Sequence, residues 1–190
     1  MPINLPNLVT WLRILMIPML VAVYYLPHDW IADHNKNLAA TAIFSFAAIT
    51  DWLDGYLART LNQMSPFGAF LDPVADKLMV ATALIMLVWI GRLEGFIAVI
   101  IIGREILIIG LKGAVASTGD LVQPSVWGKA KANVQFLAIF LAILRPGEPI
   151  GPLYLDQWAM IAAAVITVLS GLEYVLRFRG AITTGPRDPA

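Results

Sequence analysis

Long apolar runs alternate with short polar breaks along this chain. The runs cover residues 9–25, 38–61, 70–89, 95–111, 129–144 and 155–178. Their lengths are close to the roughly 17–25 residues a helix needs to cross a bilayer. Within hydrocarbon, backbone polar groups must be satisfied inside the segment, so such runs are read as helices. The pattern therefore predicts an all-α, polytopic membrane protein with six transmembrane helices. Pro18 is expected to kink the first, which a membrane helix tolerates. The break at 27–37 (PHDWIADHNKN) reads as a loop that holds His28 and His34 and sets Trp30 at the interface. Residues 60–67 (TLNQMSPF) read as a turn that makes the second and third helices antiparallel neighbours. One membrane domain is expected over 1–179, followed by a flexible Gly/Pro-rich tail over 180–190.

Composition narrows the class. Of 190 residues, 59% are apolar and 14% charged, which excludes a disordered chain and a soluble Rossmann-type enzyme. Thirteen basic residues balance thirteen acidic ones, so no bulk field steers nucleic acid, and no nucleic-acid partner is expected. The absence of cysteine excludes disulfides and thiolate chemistry. The first seven residues lack the basic region of a cleaved signal peptide. Across six spans, one side receives Arg13, Arg59, Lys112, Lys129, Lys131, Arg177, Arg179 and Arg187, and the other only Lys36, Arg92 and Arg145. The positive-inside rule then puts both termini in the cytoplasm.

Four carboxylates interrupt this apolar pattern in or beside the second and third helices. An ionised group in hydrocarbon normally lines a cavity or a polar bundle interior, and interhelical packing does not explain four. At about 100° per residue, Asp51, Asp54, Gly55, Ala58 and Arg59 share a stripe roughly 140° wide. On the next helix Gly68, Asp72 and Asp76 share one roughly 80° wide. Facing acids cannot all ionise at close range without cations, and neutralising one is expected to relieve repulsion. Hard oxygen donors favour Mg²⁺, Mn²⁺ or Ca²⁺, and a pair of ions suits phosphoryl transfer. The small residues leave room for a ligand against the backbone; tight helix packing is their plainer explanation.

Asp51-x2-Asp54-Gly55-x2-Ala58-Arg59-x8-Gly68-x3-Asp72-x3-Asp76 resembles the full signature of the CDP-alcohol phosphatidyltransferases, with all eight positions at their spacing. Within that family the chain is most similar to the bacterial phosphatidylglycerophosphate synthases. The likeness extends to NLPNLVTWLR at 4–13, SPFGAFLDPVADKLMVA at 65–81, GREI at 103–106 and GKAKANVQ at 128–135. The resemblance implies the six-helix fold of the family, as a homodimer in the bacterial cytoplasmic membrane with its active site facing the cytoplasm. It implies CDP-diacylglycerol as donor, sn-glycerol 3-phosphate as acceptor, CMP as a product, and Mg²⁺ or Mn²⁺, two ions, as cofactor. Asp51, Asp54, Asp72 and Asp76 match the metal-binding acids, and Asp76 the general base. Gly55, Ala58, Arg59 and Gly68 match the nucleotide-binding positions. Asn7, Thr10 and Arg13 resemble polar positions near the phosphates. The chain departs at Gly103, where an alanine is usual, and at Lys112, where many relatives carry arginine and its bidentate fork.

The acceptor phosphate needs cations, and the candidates are Arg104, Lys112, Lys129 and Lys131. Arg104 lies within an apolar run beside Glu105, so it must meet either a partner carboxylate or a polar cavity. Arg104 and Lys112 are roughly 80° apart on the wheel and share a face. Lys129 and Lys131 are roughly 200° apart and cannot both point into one cavity. The acid signature handles a donor shared across the family. It leaves a phosphatidylinositol phosphate, phosphatidylserine or cardiolipin synthase open. A cation transporter using the same acids is a reading of another class; Arg59 on the acid stripe and the space beside Gly55 and Ala58 stand against it.

Overall fold

A computed structural model of the protein describes the backbone of residues 5–61, 66–116 and 126–183, and the side chains of 10–50, 71–113 and 131–176. Among the described residues there are six helices: α1 (Leu5–Tyr25), α2 (Asp33–Leu61), α3 (Pro66–Trp89), α4 (Gly95–Ala116), α5 (Val126–Leu144) and α6 (Leu155–Thr183). Apart from an isolated bridge between Ile150 and Leu153, no β structure occurs among them.

Six of the helix termini fall where the apolar runs begin or end, at Tyr25, Leu61, Trp89, Gly95, Leu144 and Leu155. The others extend past the runs because a helix outlasts its apolar core. Thus α2 starts at Asp33, so His34 and Lys36 are helical rather than in a loop. Asp33 suits the positive end of the helix dipole there, and it pairs with His28 and Lys36. Pro66 opens α3, where its missing N–H costs nothing. Residues 60, 61, 66 and 67 of the expected turn are thus helical, and 62–65 lie outside the described residues. Helix α6 continues through Gly180 to Thr183, so the first residues of the expected tail are helical; 184–190 lie outside the described residues.

The helix ends have identifiable caps. Gly91, at φ 70°, ends α3 in a Schellman arrangement: Gly91 N–H donates to the Val88 carbonyl and Arg92 N–H to that of Leu87. Gln157 Oε1 accepts from the Tyr154 N–H at the start of α6, half of a capping box. Arg92 Nη1 donates to the carbonyls of Ala142 at 3.3 Å and Ile143 at 2.7 Å, covering the last turn of α5.

The chain divides into two compact units. The first holds Met1–Leu93 and Phe140–Pro146. In it α1 packs against both α2 and α3, and α2 touches α3. Ala40, Phe44 and Ala47 of α2, Leu20 and Tyr24 of α1, and Ala75, Met79 and Ala83 of α3 are buried at helical spacing. The rings of Tyr25 and Trp89 stack 4.9 Å apart. The second unit holds Glu94–Ile139 and Gly147–Ala190, and α4 packs against α6 there. Its buried stripes are Ile97, Ile101, Glu105 and Ile108 on α4 and Met160, Ala163, Thr167, Ser170 and Tyr174 on α6.

Large apolar side chains such as Leu15, Ile85, Val99, Ile106 and Leu176 are exposed on the helices. Among the described residues one stretch, Leu155–Leu176, is by itself long and apolar enough to cross a membrane. Thr10–Tyr25 and Lys131–Leu144 are apolar but shorter.

Candidate active site

The buried stripe of α1 turns polar toward its N-terminus. Tyr24 and Leu20 are followed on the same face, at steps of seven and three residues, by Arg13 and Thr10, both buried. They face the first turns of α3. Arg13 Nη1 donates to Asp72 Oδ1 at 3.0 Å, and Thr10 Oγ1 donates to the same oxygen at 3.2 Å. Arg13 is only 1% exposed and Asp72 35%. The guanidinium is thus compensated by a carboxylate that still reaches solvent. One turn on, Asp76 is 39% exposed and its Oδ2 accepts from Lys77 Nζ at 2.8 Å.

Each aspartate so has one oxygen engaged by a basic group. Among the described residues no donor reaches Asp72 Oδ2 or Asp76 Oδ1. Two hard oxygens one helical turn apart, in part-exposed side chains, fit one side of a divalent-cation site. They do not complete it: among the described residues no three His, Cys, Asp or Glu side chains gather. The backbone of Asp51 and Asp54 belongs to the last three turns of α2, but their side chains lie outside the described residues, as do those of Asn7, Gly55, Ala58, Arg59, Gly68 and Lys129.

A second polar cluster lies within the second unit. Lys131 and Gln135 occupy the buried stripe of α5, continuing to Ala138, Ile139 and Ala142. Lys131 Nζ donates to Glu105 Oε1. Arg104 Nη1 reaches the same oxygen at 3.3 Å, and its Nη2 donates to Ser170 Oγ of α6 at 2.7 Å. Arg104 Cζ stands 5.7 Å from the centroid of the Tyr174 ring and Lys112 Nζ 5.6 Å from it. Arg104 and Lys112 therefore share a face, as their spacing predicts. Arg104 meets both a partner carboxylate and a neighbouring helix. Arg104 and Lys131 converge on one Glu105 oxygen, and Lys112 meets the same ring as Arg104; an oxyanion gains charge-assisted hydrogen bonds from such groups.

Glu105, Ser170 and Tyr174 were not singled out from sequence as site residues. Glu105 interrupts an apolar run, which is the signal that pointed to Arg104. Ser170 and Tyr174 belong to a helical repeat on α6, Thr167-x2-Ser170-x3-Tyr174, whose polar members become informative only once Arg104 lies against them.

The sequence profile of the CDP-alcohol phosphatidyltransferase family matches residues 3–169. The chain belongs to that family. CDP-alcohol phosphatidyltransferase membership accounts for the acid signature across α2 and α3, and it removes the transporter reading. Among curated relatives, the CDP-diacylglycerol–glycerol-3-phosphate 3-phosphatidyltransferase of Pseudomonas fluorescens is 42% identical over 182 residues, 90% of this chain and 88% of the relative. Proteins of the same name from Bacillus subtilis and Salmonella choleraesuis are 38% and 40% identical. Each match covers 95% of this chain, and 98% and 97% of the respective relative.

Proposed function

We propose that this chain transfers the phosphatidyl group of CDP-diacylglycerol to sn-glycerol 3-phosphate, giving phosphatidylglycerophosphate and CMP. The observation that carries this reading is the shared name of relatives 38–42% identical along nine-tenths of the chain or more. In the reaction an acceptor hydroxyl oxygen bonds to the phosphatidyl phosphorus, the diphosphate P–O bond breaks, and CMP leaves. The hydroxyl proton passes to a base.

Asp72 and Asp76, with Asp51 and Asp54 of α2, would hold Mg²⁺ or Mn²⁺, two ions on this reading. Such ions, when bound, neutralise the diphosphate and the charge that develops on the leaving group. Thr10 and Arg13 fix the Asp72 carboxylate by its Oδ1, which leaves Oδ2 directed by two donors rather than free to rotate. The Asp76 carboxylate, part exposed and already hydrogen-bonded to Lys77, is also the base we assign to the acceptor proton. Gly55, Ala58, Arg59 and Gly68 would receive the cytidine nucleotide, with Asn7 near the phosphates. Arg104, Lys112, Lys129 and Lys131 would bind the acceptor phosphate. Of these, Lys131 is already paired with Glu105 and contributes through that pair.

The same reading places a catalytic domain over 1–179, a short tail after it, and six spans in the bacterial cytoplasmic membrane. The site opens to the cytoplasm, and the enzyme acts as a homodimer. Support comes from the excess of basic residues on one side and from the apolar side chains exposed on the helices. A neutral polyol such as free inositol is disfavoured as acceptor because it carries no charge to meet Arg104 and Lys112. The test is CMP release by purified protein in detergent micelles. It should require CDP-diacylglycerol, a divalent cation and glycerol 3-phosphate together. CMP release at the same rate without glycerol 3-phosphate would contradict the assignment.

A further inference from the structure

We propose that α6 completes the acceptor site: Ser170, Gly171 and Tyr174 form a cradle that aims the Arg104 and Lys112 cations at the acceptor phosphate. This rests on the reading that Arg104 and Lys112 meet that phosphate, and it names the residues that position them. Ser170 Oγ accepts from Arg104 Nη2 at 2.7 Å. A Cβ at Gly171 would stand 3.2 Å from Arg104 Cγ, so the missing side chain lets the arginine stem lie close against α6. Tyr174, one turn beyond Ser170, presents its ring to Arg104 Cζ at 5.7 Å and to Lys112 Nζ at 5.6 Å. Both distances fall within the ~6 Å reach of a cation–π contact. Ser170 and Tyr174 are buried, so the cradle is itself held in place.

The remaining contacts of Arg104 do not describe a purely structural ion pair. Its 3.3 Å approach to Glu105 is to a carboxylate that Lys131 already engages. Its Nε is buried without a partner. A guanidinium carries five N–H donors, and buried polar groups are ordinarily satisfied. Arg104 is oriented at its stem, its head and its face, yet under-satisfied. A ring attracts a cation without consuming an N–H donor. Tyr174 therefore gathers two like charges while leaving their donors for an oxyanion, and a phosphate beside them offsets the repulsion. A neutral polyol offers no such compensation.

The experiment uses full-length protein in detergent micelles, with each substrate varied in turn and thermal melts on the same samples. Tyr174→Leu should raise KM for glycerol 3-phosphate about ten-fold and leave KM for CDP-diacylglycerol within about two-fold. Tyr174→Phe keeps the ring and should restore the glycerol 3-phosphate KM. Gly171→Ala displaces the arginine stem without removing a contact group, and should show the same split between substrates. If Tyr174→Leu does not fold, Gly171→Ala decides. A lower melting temperature with neither KM changed, or equal changes in both, would overturn the cradle. Arg104→Ala separates the two levels. If it raises KM for glycerol 3-phosphate while the α6 variants do not, the acceptor assignment stands and the cradle falls. If it leaves that KM unchanged, the acceptor assignment itself fails, and the cradle with it.

Discussion

Asp72 does two things at once, and its neighbours say which comes first. It compensates Arg13, which is 1% exposed, and it offers a second oxygen outward. Mutual repulsion among the four acids predicts that neutralising any of them relieves strain. At Asp72 the ion pair works against that relief, because the change also takes a charged acceptor away from a buried guanidinium. Asp72→Asn should almost abolish turnover, a loss beyond the roughly 10–100-fold that disturbing only the partner of a metal ligand costs. It should also lower the melting temperature of metal-free protein. A melt at or above that of the parent would show that Arg13 does not depend on Asp72. Arg13→Ala should couple to it: the double variant should fall short of the summed single losses in stability by about 1–3 kcal/mol. Additive melts would separate the two residues. The acids were legible from sequence because charge in an apolar run is costly wherever it occurs. The tie from Thr10 and Arg13 to Asp72 spans about sixty residues and was not, since spacing along one helix says nothing about which helix lies opposite.

At the scale of elements, hydropathy located each helix but missed its polar ends. The first turn of α2 (DHNK) has no apolar residue, and the end of α6 (RFRGAIT) mixes basic, glycine and apolar residues, yet both are helical. Their backbone bonds continue past the apolar segment, and their side chains need not be apolar. The caps were not read from the sequence: hydropathy sets neither the positive φ of Gly91 nor the reach of Arg92 to α5 fifty residues away. Arg92→Ala should therefore destabilise the protein by about 1–3 kcal/mol, the value of a charge-assisted hydrogen bond, with both KM values unchanged. The melting temperature and the two KM values measured on one preparation check this. A catalytic defect without a stability loss would assign Arg92 a different role.

For the whole molecule, the family and its chemistry followed from eight positions within 51–76 and were matched by relatives along nearly the full chain. The basic cluster on α4 was legible as charge; its partners on α6 were not, because serine and tyrosine in an apolar helix carry no signal until the arginine is seen against them. Verified removal of divalent cations should abolish turnover, and Mg²⁺ or Mn²⁺ should restore it; undiminished turnover in metal-free protein would remove the aspartates from the chemistry. The most direct test of the central claim supplies labelled acceptors to purified protein with unlabelled CDP-diacylglycerol, then measures label in the lipid extract. Glycerol 3-phosphate should enter the lipid fraction as phosphatidylglycerophosphate, one CMP released per lipid formed, with glycerol, serine and inositol phosphate left in water. Equal or greater incorporation of any of those three would contradict the account.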